Sequence, residues 1–202
     1  RDDSERKLKE RLQRAAETDG TVLIPTDAVG RPQELLVVIE ELMRSGDVPE
    51  MPVYMDEVIW EATAVHTSYP EFLRDDMERR LQNDDENPFL ADQFTAVGDD
   101  AERRELASSE DASVVLSTPG MCTPGPVRTW LAALADEPDN TLVFVDKQAQ
   151  GTLGNRIQRG ADSVTLDGES VSLALRVDTI DGFSGHADRQ GLENFVRTMN
   201  PR

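Results

Sequence analysis

A single cysteine, Cys122, stands in the 202-residue chain, so no internal disulfide can form and no multi-cysteine metal site can be built. Histidine is nearly as scarce. His66 and His186 are the only two, too few and too far apart to supply a three- or four-ligand zinc site by themselves. Lysine occurs only at Lys7, Lys9 and Lys147, so nearly all the basic charge is arginine. No apolar run approaches the ~20 residues of a membrane span and no signal-peptide pattern opens the chain, so the expected location is cytoplasmic, with no membrane partner. No P-loop is present and no dinucleotide glycine fingerprint follows the first apolar run. Internal repeats and low-complexity stretches are also missing. The chain opens on Arg1 without an initiator Met and closes on Asn200-Pro-Arg202, and the expectation is a piece cut from a longer protein.

Acidic residues are what the chain has in excess: 40 against 21 basic ones, for a net charge of −19. They are spread along the whole length, which rules out an acidic tail. An acidic surface repels nucleic acid at ordinary salt. Dispersed Asp and Glu with almost no lysine instead favour a halophilic protein adapted to very high salt, where repulsion is screened over about 3 Å at 1 M. On that reading the charge reports the solvent and does not argue against an anionic ligand. The apolar share, 38%, is low for a globular chain, but the apolar residues cluster periodically, so a core is expected.

Residues 1–19 form a helix-favouring stretch with Leu8, Leu12 and Ala15 at helical spacing and acids at its start. Residues 21–24 read as a buried strand, followed by a loop and a helix carrying Leu35, Leu36, Val38, Ile39, Leu42 and Met43. Residues 52–55 give a second strand, and residues 57–65 a helix with Val58, Ile59, Ala62 and Val65 inward. One or two short helices are expected over 69–81. A loop over 83–98 is anchored by Pro88, Phe89, Leu90 and Phe94, and residues 103–109 are helical. Strands over 113–117 and 140–145 are followed by helices over 126–135 and around Ile157. From 163 to 180 the pattern turns to alternation, which predicts antiparallel strands with a turn at Asp167-Gly168. The order predicts an α/β protein whose mainly parallel sheet is flanked by helices on both faces, with ligand loops at the carboxyl edge.

Three loops should reach that edge: Ala28-Val-Gly-Arg-Pro, Thr118-Pro-Gly-Met-Cys-Thr-Pro-Gly-Pro and Gly151-Thr-Leu-Gly-Asn-Arg. Glycine lets backbone amides approach an anion, and helix starts favour negative charge. Gly30, Thr118, Gly120, Gly125, Gly151 and Thr152 are therefore candidate phosphate contacts, with Arg31 and Arg156 as guanidinium clamps. Equally, these glycines and prolines could serve the turns alone. The stretch Asp181-Gly-Phe-Ser-Gly-His-Ala-Asp188 offers His186 and Asp188 in a turn after a strand, and on spacing alone an exposed turn histidine fits as well. His66 reads as structural, Cys122 as no nucleophile, Trp60 and Trp130 as core or half-core. Tyr69 and Phe72 could stack on bases, but core packing is the expected use.

Taken together, Leu23-Ile-Pro-Thr-Asp-Ala-Val-Gly-Arg-Pro-Gln-Glu34, Trp60-Glu-Ala-Thr-Ala-Val-His-Thr-Ser-Tyr-Pro-Glu71, Glu86-Asn-Pro-Phe-Leu90, Pro119-Gly-Met121, Gly125-Pro-Val127, Gln148-Ala-Gln-Gly-Thr-Leu-Gly154 and Phe183-Ser-Gly-His-Ala-Asp188 resemble the beta-CASP metallo-β-lactamase ribonucleases. The nearest subgroup is the archaeal homologues of the cleavage and polyadenylation specificity factor endonuclease. The resemblance runs in order through nearly the whole chain. It implies residues 1–9 as the end of an upstream metallo-β-lactamase part, 10–184 as the beta-CASP domain, and 185–202 as the return into the metallo-β-lactamase domain. It implies a full-length RNA-processing hydrolase that cleaves single-stranded RNA with two zinc ions bound outside this stretch, which would itself be inactive and metal-free. His186 would donate a proton to the leaving group. Glu5 (with Asp3 and Asp2 as fallbacks) is the acid that holds it, and Asp188 is a second partner. A homodimer, or a complex for RNA processing or transcription termination, is the implied assembly. Departures from relatives are Thr26, Asp27 and Asn155. A non-catalytic RNA-binding scaffold subunit and a nucleotide- or sugar-phosphate-binding domain remain the alternatives.

Overall fold

The computed structural model describes residues 2–82, 87–183 and 189–199, Arg189 by its backbone only. Its framework is a six-stranded sheet in the order β3-β2-β4-β1-β5-β8, every pair parallel. The strands are β1 (Thr21–Pro25), β2 (Val53–Asp56), β3 (Phe94–Val97), β4 (Ser113–Ser117), β5 (Thr141–Phe144) and β8 (Arg176–Thr179). The two central strands, β1 and β4, are buried at every position, as a parallel sheet covered on both faces requires.

Helices α1 (Asp2–Thr18), α2 (Arg31–Arg44), α3 (Glu57–Ser68) and α4 (Asp75–Leu81) lie on one face. Their core takes Leu8, Leu12, Leu35, Leu36, Ile39 and Ile59 together with Val22, Ile24, Val114 and Leu116 of the sheet. Helices α5 (Asp100–Ala107), α6 (Pro126–Leu134) and α7 (Leu153–Gln158) cover the other face, where Val127, Trp130, Leu131 and Ile157 meet Leu23, Val115, Leu142 and Phe144. Alternate strand residues feed the two cores, the period of two seen from the backbone outward. Connections that move one way across the sheet place their helices on one face and the reverse moves place theirs on the other, as right-handed crossovers demand. An antiparallel hairpin, β6 (Ser163–Leu166) with β7 (Glu169–Ser172), packs Val164 and Leu166 into the second core. Its turn is Asp167-Gly168, both at positive φ.

Five expectations from the sequence are corrected. The alternating stretch that ends at Ile180 is not one antiparallel unit: the hairpin closes at Ser172, and β8 crosses to pair parallel with β5. The loop anchored by Phe94 contains β3, a parallel edge strand. Within α3, Val58 and Val65 face solvent at 45% and 59% exposure, while Ile59 and Thr63 are buried. Thr63 is drawn in because Gln33 of α2, itself buried, donates to its hydroxyl at 3.0 Å. Tyr69 and Phe72 do not join a core. They form a tilted pair, ring centroids 6.5 Å apart, on an exposed corner beside the short 3-10 turn Pro70–Phe72. Leu90 is exposed too, although Phe89 and Phe94 are buried. Helix α8 (Arg189–Met199) turns Leu192, Phe195, Val196 and Met199 to solvent. Among the described residues no helix is long and apolar enough to cross a membrane.

Candidate nucleic-acid interface

The chain reverses its direction of travel between β1 and β4. From β1 it crosses through α2 towards β2, and from β4 through α6 to the far side, at β5. In open α/β sheets the crevice outside such a switch point is where ligands bind. The loops after β1, β4 and β5 meet there and are knitted into one surface. Thr26 donates its amide to the Ser117 carbonyl at 2.8 Å, and Gly154 donates to the Met121 carbonyl at 3.1 Å. Gln148, 3% exposed, donates to the Gly120 carbonyl at 3.1 Å. Close packing accounts for two of the glycines: a Cβ on Gly120 would press on the Thr26 backbone at 3.3 Å, and one on Gly125 would strike Pro119 Cδ at 2.7 Å.

Much of the expected phosphate-binding set is occupied by the protein itself. The Gly30 amide donates to Gln33 Oε1 at 2.5 Å, with Gly30 at φ +88°. Thr118 gives both its amide (2.6 Å) and its hydroxyl (3.0 Å) to Asp56 Oδ2. Arg31 is 12% exposed. Its Nε donates to the Phe183 carbonyl and its guanidinium is ion-paired with Asp146 at the end of β5. Burial lowers the Arg31 pKa, and the nearby Asp27 and Glu34 oppose that shift. Thr152 caps α7, accepting from the Asn155 amide at 3.2 Å. Gly151, at φ +89°, has open space around it. Arg156 is exposed and pairs with no acid among the described residues.

Asp56 was not foreseen. It stands at the N-cap of α3, yet its carboxylate makes no cap bond. It accepts from the Ser117 hydroxyl at 2.8 Å, from Thr118, and from Arg103 Nε at 3.3 Å, with Asp56 and Arg103 1% and 4% exposed. This buried pair fixes the start of the β4–α6 loop. The only hint in the sequence is an Asp closing a buried strand, which reads equally well as a helix cap.

His66 places Nδ1 2.7 Å from the Ala62 carbonyl of its own helix. That oxygen can only accept, so Nδ1 carries the proton and Nε2 is the free nitrogen. The ring lines a cavity of about 310 Å³ with Gly30, Gln33, Leu73, Arg74 and Phe89. Cys122 is buried at φ +53°, and burial pushes its thiol pKa up to about 12, the reverse of what a nucleophile needs.

His186 and Asp188 lie outside the described residues, but the chain leading to them is anchored. Ser4, beside Glu5 in α1, donates its hydroxyl to the Asp181 carbonyl at 2.6 Å. Gly182 sits at φ +109°, where a Cβ would run into Ser4 Oγ, and Phe183 is 1% exposed. The first turn of α1 and the segment 181–183 are thus packed together although 177 residues separate Ser4 from Asp181.

A parallel sheet flanked by helices on both faces, with loops interlocked at its switch point, defines an open α/β domain. The sequence matches the Beta-Casp domain over residues 32–157 and the Zn-dependent metallo-hydrolase RNA specificity domain over residues 170–202. The chain belongs to the Beta-Casp family. Among its relatives are the proteins named transcription termination factor FttA of Methanosarcina mazei, Thermococcus kodakarensis and Methanocaldococcus jannaschii, 41%, 40% and 42% identical over essentially the whole of this chain. The chain spans 32% of the length of each of these relatives. Zinc is the metal of the second matching family. Among the described residues no three His, Cys, Asp or Glu side chains come together to hold a metal ion, so the donors described here do not fit a zinc site.

Proposed function

We propose that the full-length protein is a metal-dependent ribonuclease of RNA processing and transcription termination, and that this chain is the half that grips single-stranded RNA. The observation that carries the proposal is the packing of the Glu5-bearing turn of α1 against residues 181–183, which precede His186 in the sequence, beside the carboxyl edge of the sheet. In this reading Glu5 keeps the imidazolium charged and His186 protonates the leaving oxygen, with Asp188 as a further partner. RNA phosphates lie along the edge loops, at Gly120, Gly125, Gly151 and Arg156, with Gly30, Thr118 and Thr152 shaping the path. Two zinc ions belong to the part of the full-length protein outside this chain. The name transcription termination factor, which the relatives carry, supports a role at transcription termination.

The test is RNA cleavage by the full-length protein and its His186→Ala variant in molar salt. A rate lowered by about 100-fold or more with RNA affinity retained is expected, since a positioned general acid contributes typically 10²–10⁴-fold. A wild-type rate in the variant removes His186 from the chemistry. RNA binding without cleavage by the wild type would establish the scaffold reading instead.

A further inference from the structure

Among the described residues Arg14, Arg79, Arg104, Lys147, Arg156, Arg159 and Arg176 form no ion pair, and three of these seven fall together between positions 147 and 159. Lys7 pairs with Asp3 and Lys9 with Asp47, at 2.7 and 2.5 Å. Lys147, the third lysine of the chain, is exposed and pairs with no acid among the described residues. Arg159, at the C-terminal end of the short helix that Thr152 caps, is likewise exposed and unpaired among the described residues. Both line a depression of about 610 Å³ after β5, whose remaining walls are Gln148, Ala149, Gln150 and Asn155. Among the described residues no Asp or Glu lines it. Asp146, next to Lys147 in the chain, is ion-paired with Arg31.

We infer that this depression is a phosphate subsite for the backbone of single-stranded RNA, with Lys147 and Arg159 as its cations and the Gln150 and Asn155 amides as its neutral donors. The ion pair of Arg31 gives the inference its logic. The arginine expected to clamp phosphate is spent on Asp146, and the effect is to remove the negative charge that would otherwise capture Lys147. Arg156 stands on the same short helix, three residues before Arg159. A sheltered depression suits binding in strong salt, because at 1 M screening reaches about 3 Å and only cations in contact with the phosphate count.

The inference rests on the RNA-binding reading. Its test is the affinity of the full-length protein for a labelled unstructured RNA oligonucleotide over a salt series, by fluorescence anisotropy. Lys147→Gln and Arg159→Gln should each weaken binding and reduce the slope of log K against log [salt] by about 0.7, the value for one single-strand phosphate contact. Both side chains are exposed, so both variants should fold, and Lys9→Gln on α1 should bind as the wild type does. Wild-type affinity and slope in both variants would overturn the subsite while leaving RNA binding intact. Failure of the wild type itself to bind RNA would remove the broader reading, and the subsite with it.

Discussion

Asp56 shows how much one buried carboxylate can hold. It joins the end of β2, the end of β4, the entry to the 118–125 loop and the guanidinium of Arg103, all within the protein interior. Arg103 in turn donates to the Val97 carbonyl at 3.2 Å and to Asp100 at 2.9 Å. Removing one member of a buried pair strands the other's charge, which costs roughly 3–5 kcal/mol. Asp100 is 55% exposed and partly compensates, so Asp56→Asn should cost about 3 kcal/mol, at the low end of that range. Urea unfolding in molar salt measures it. The double variant Asp56→Asn with Arg103→Met should recover part of the loss, because no charge is then stranded. A single-variant cost below about 1 kcal/mol, the scale of an exposed pair, would show that the pair behaves like a surface one.

At the scale of elements, the strands and helices with strong apolar periodicity were legible, and the misreadings share a physical cause. Val58 and Val65 looked inward because α3 has apolar residues all round, whereas its packed side is selected by a polar contact, Gln33 to Thr63, that hydrophobicity cannot reveal. The stretch through β8 alternates because an edge strand is half exposed, and alternation is the same whether the partner is parallel or antiparallel. Strand β3 escaped notice because four residues with mixed burial carry little pattern. The glycines and threonines of the three edge loops were legible as a set, but their use was not. Whether an amide is free for a phosphate or bound to Gln33 or Asp56 depends on residues distant in sequence. Gly154 tests how tightly those loops interlock. A Cβ there would run into Gln148 Oε1, with the Met121 carbonyl 3.2 Å away. Gly154→Ala should therefore lower stability by about 1–3 kcal/mol, the usual cost of overpacking. It should also weaken RNA binding, because Gln148 can no longer both hold the Gly120 carbonyl and clear the new methyl group. Urea midpoints and RNA anisotropy on the same samples check both halves, and an unchanged midpoint would mean that the loops are looser than their contacts indicate.

For the whole molecule, the opposition of core and surface decides the working conditions. The interior is that of an ordinary α/β domain, with Leu8, Leu12, Ile24, Leu36, Val115 and Phe144 wholly buried. The surface is not ordinary. With every basic residue paired, 19 acids would still lack a partner, and most of the ion pairs that do form involve exposed groups. Exposed pairs of this kind contribute about 0–1 kcal/mol each and are screened by salt, so they cannot offset the repulsion among the surplus carboxylates. That repulsion is small for any one pair, about 0.4 kcal/mol at 10 Å in water, but it acts over the whole surface at once. Salt is the variable that governs it, with a screening length near 3 Å at 1 M and near 10 Å at 0.1 M. The high-salt adaptation inferred from composition thus becomes a stability prediction. Circular dichroism at 222 nm should show the native helix content in molar salt and its progressive loss on dialysis towards ~0.1 M, with recovery when salt is restored. The unfolding should be reversed equally by different monovalent salts at matched ionic strength if screening is the cause. A signal that stays constant down to ~0.1 M would mean that the two cores outweigh the repulsion unaided, and that the acidity of this surface serves something other than stability in brine.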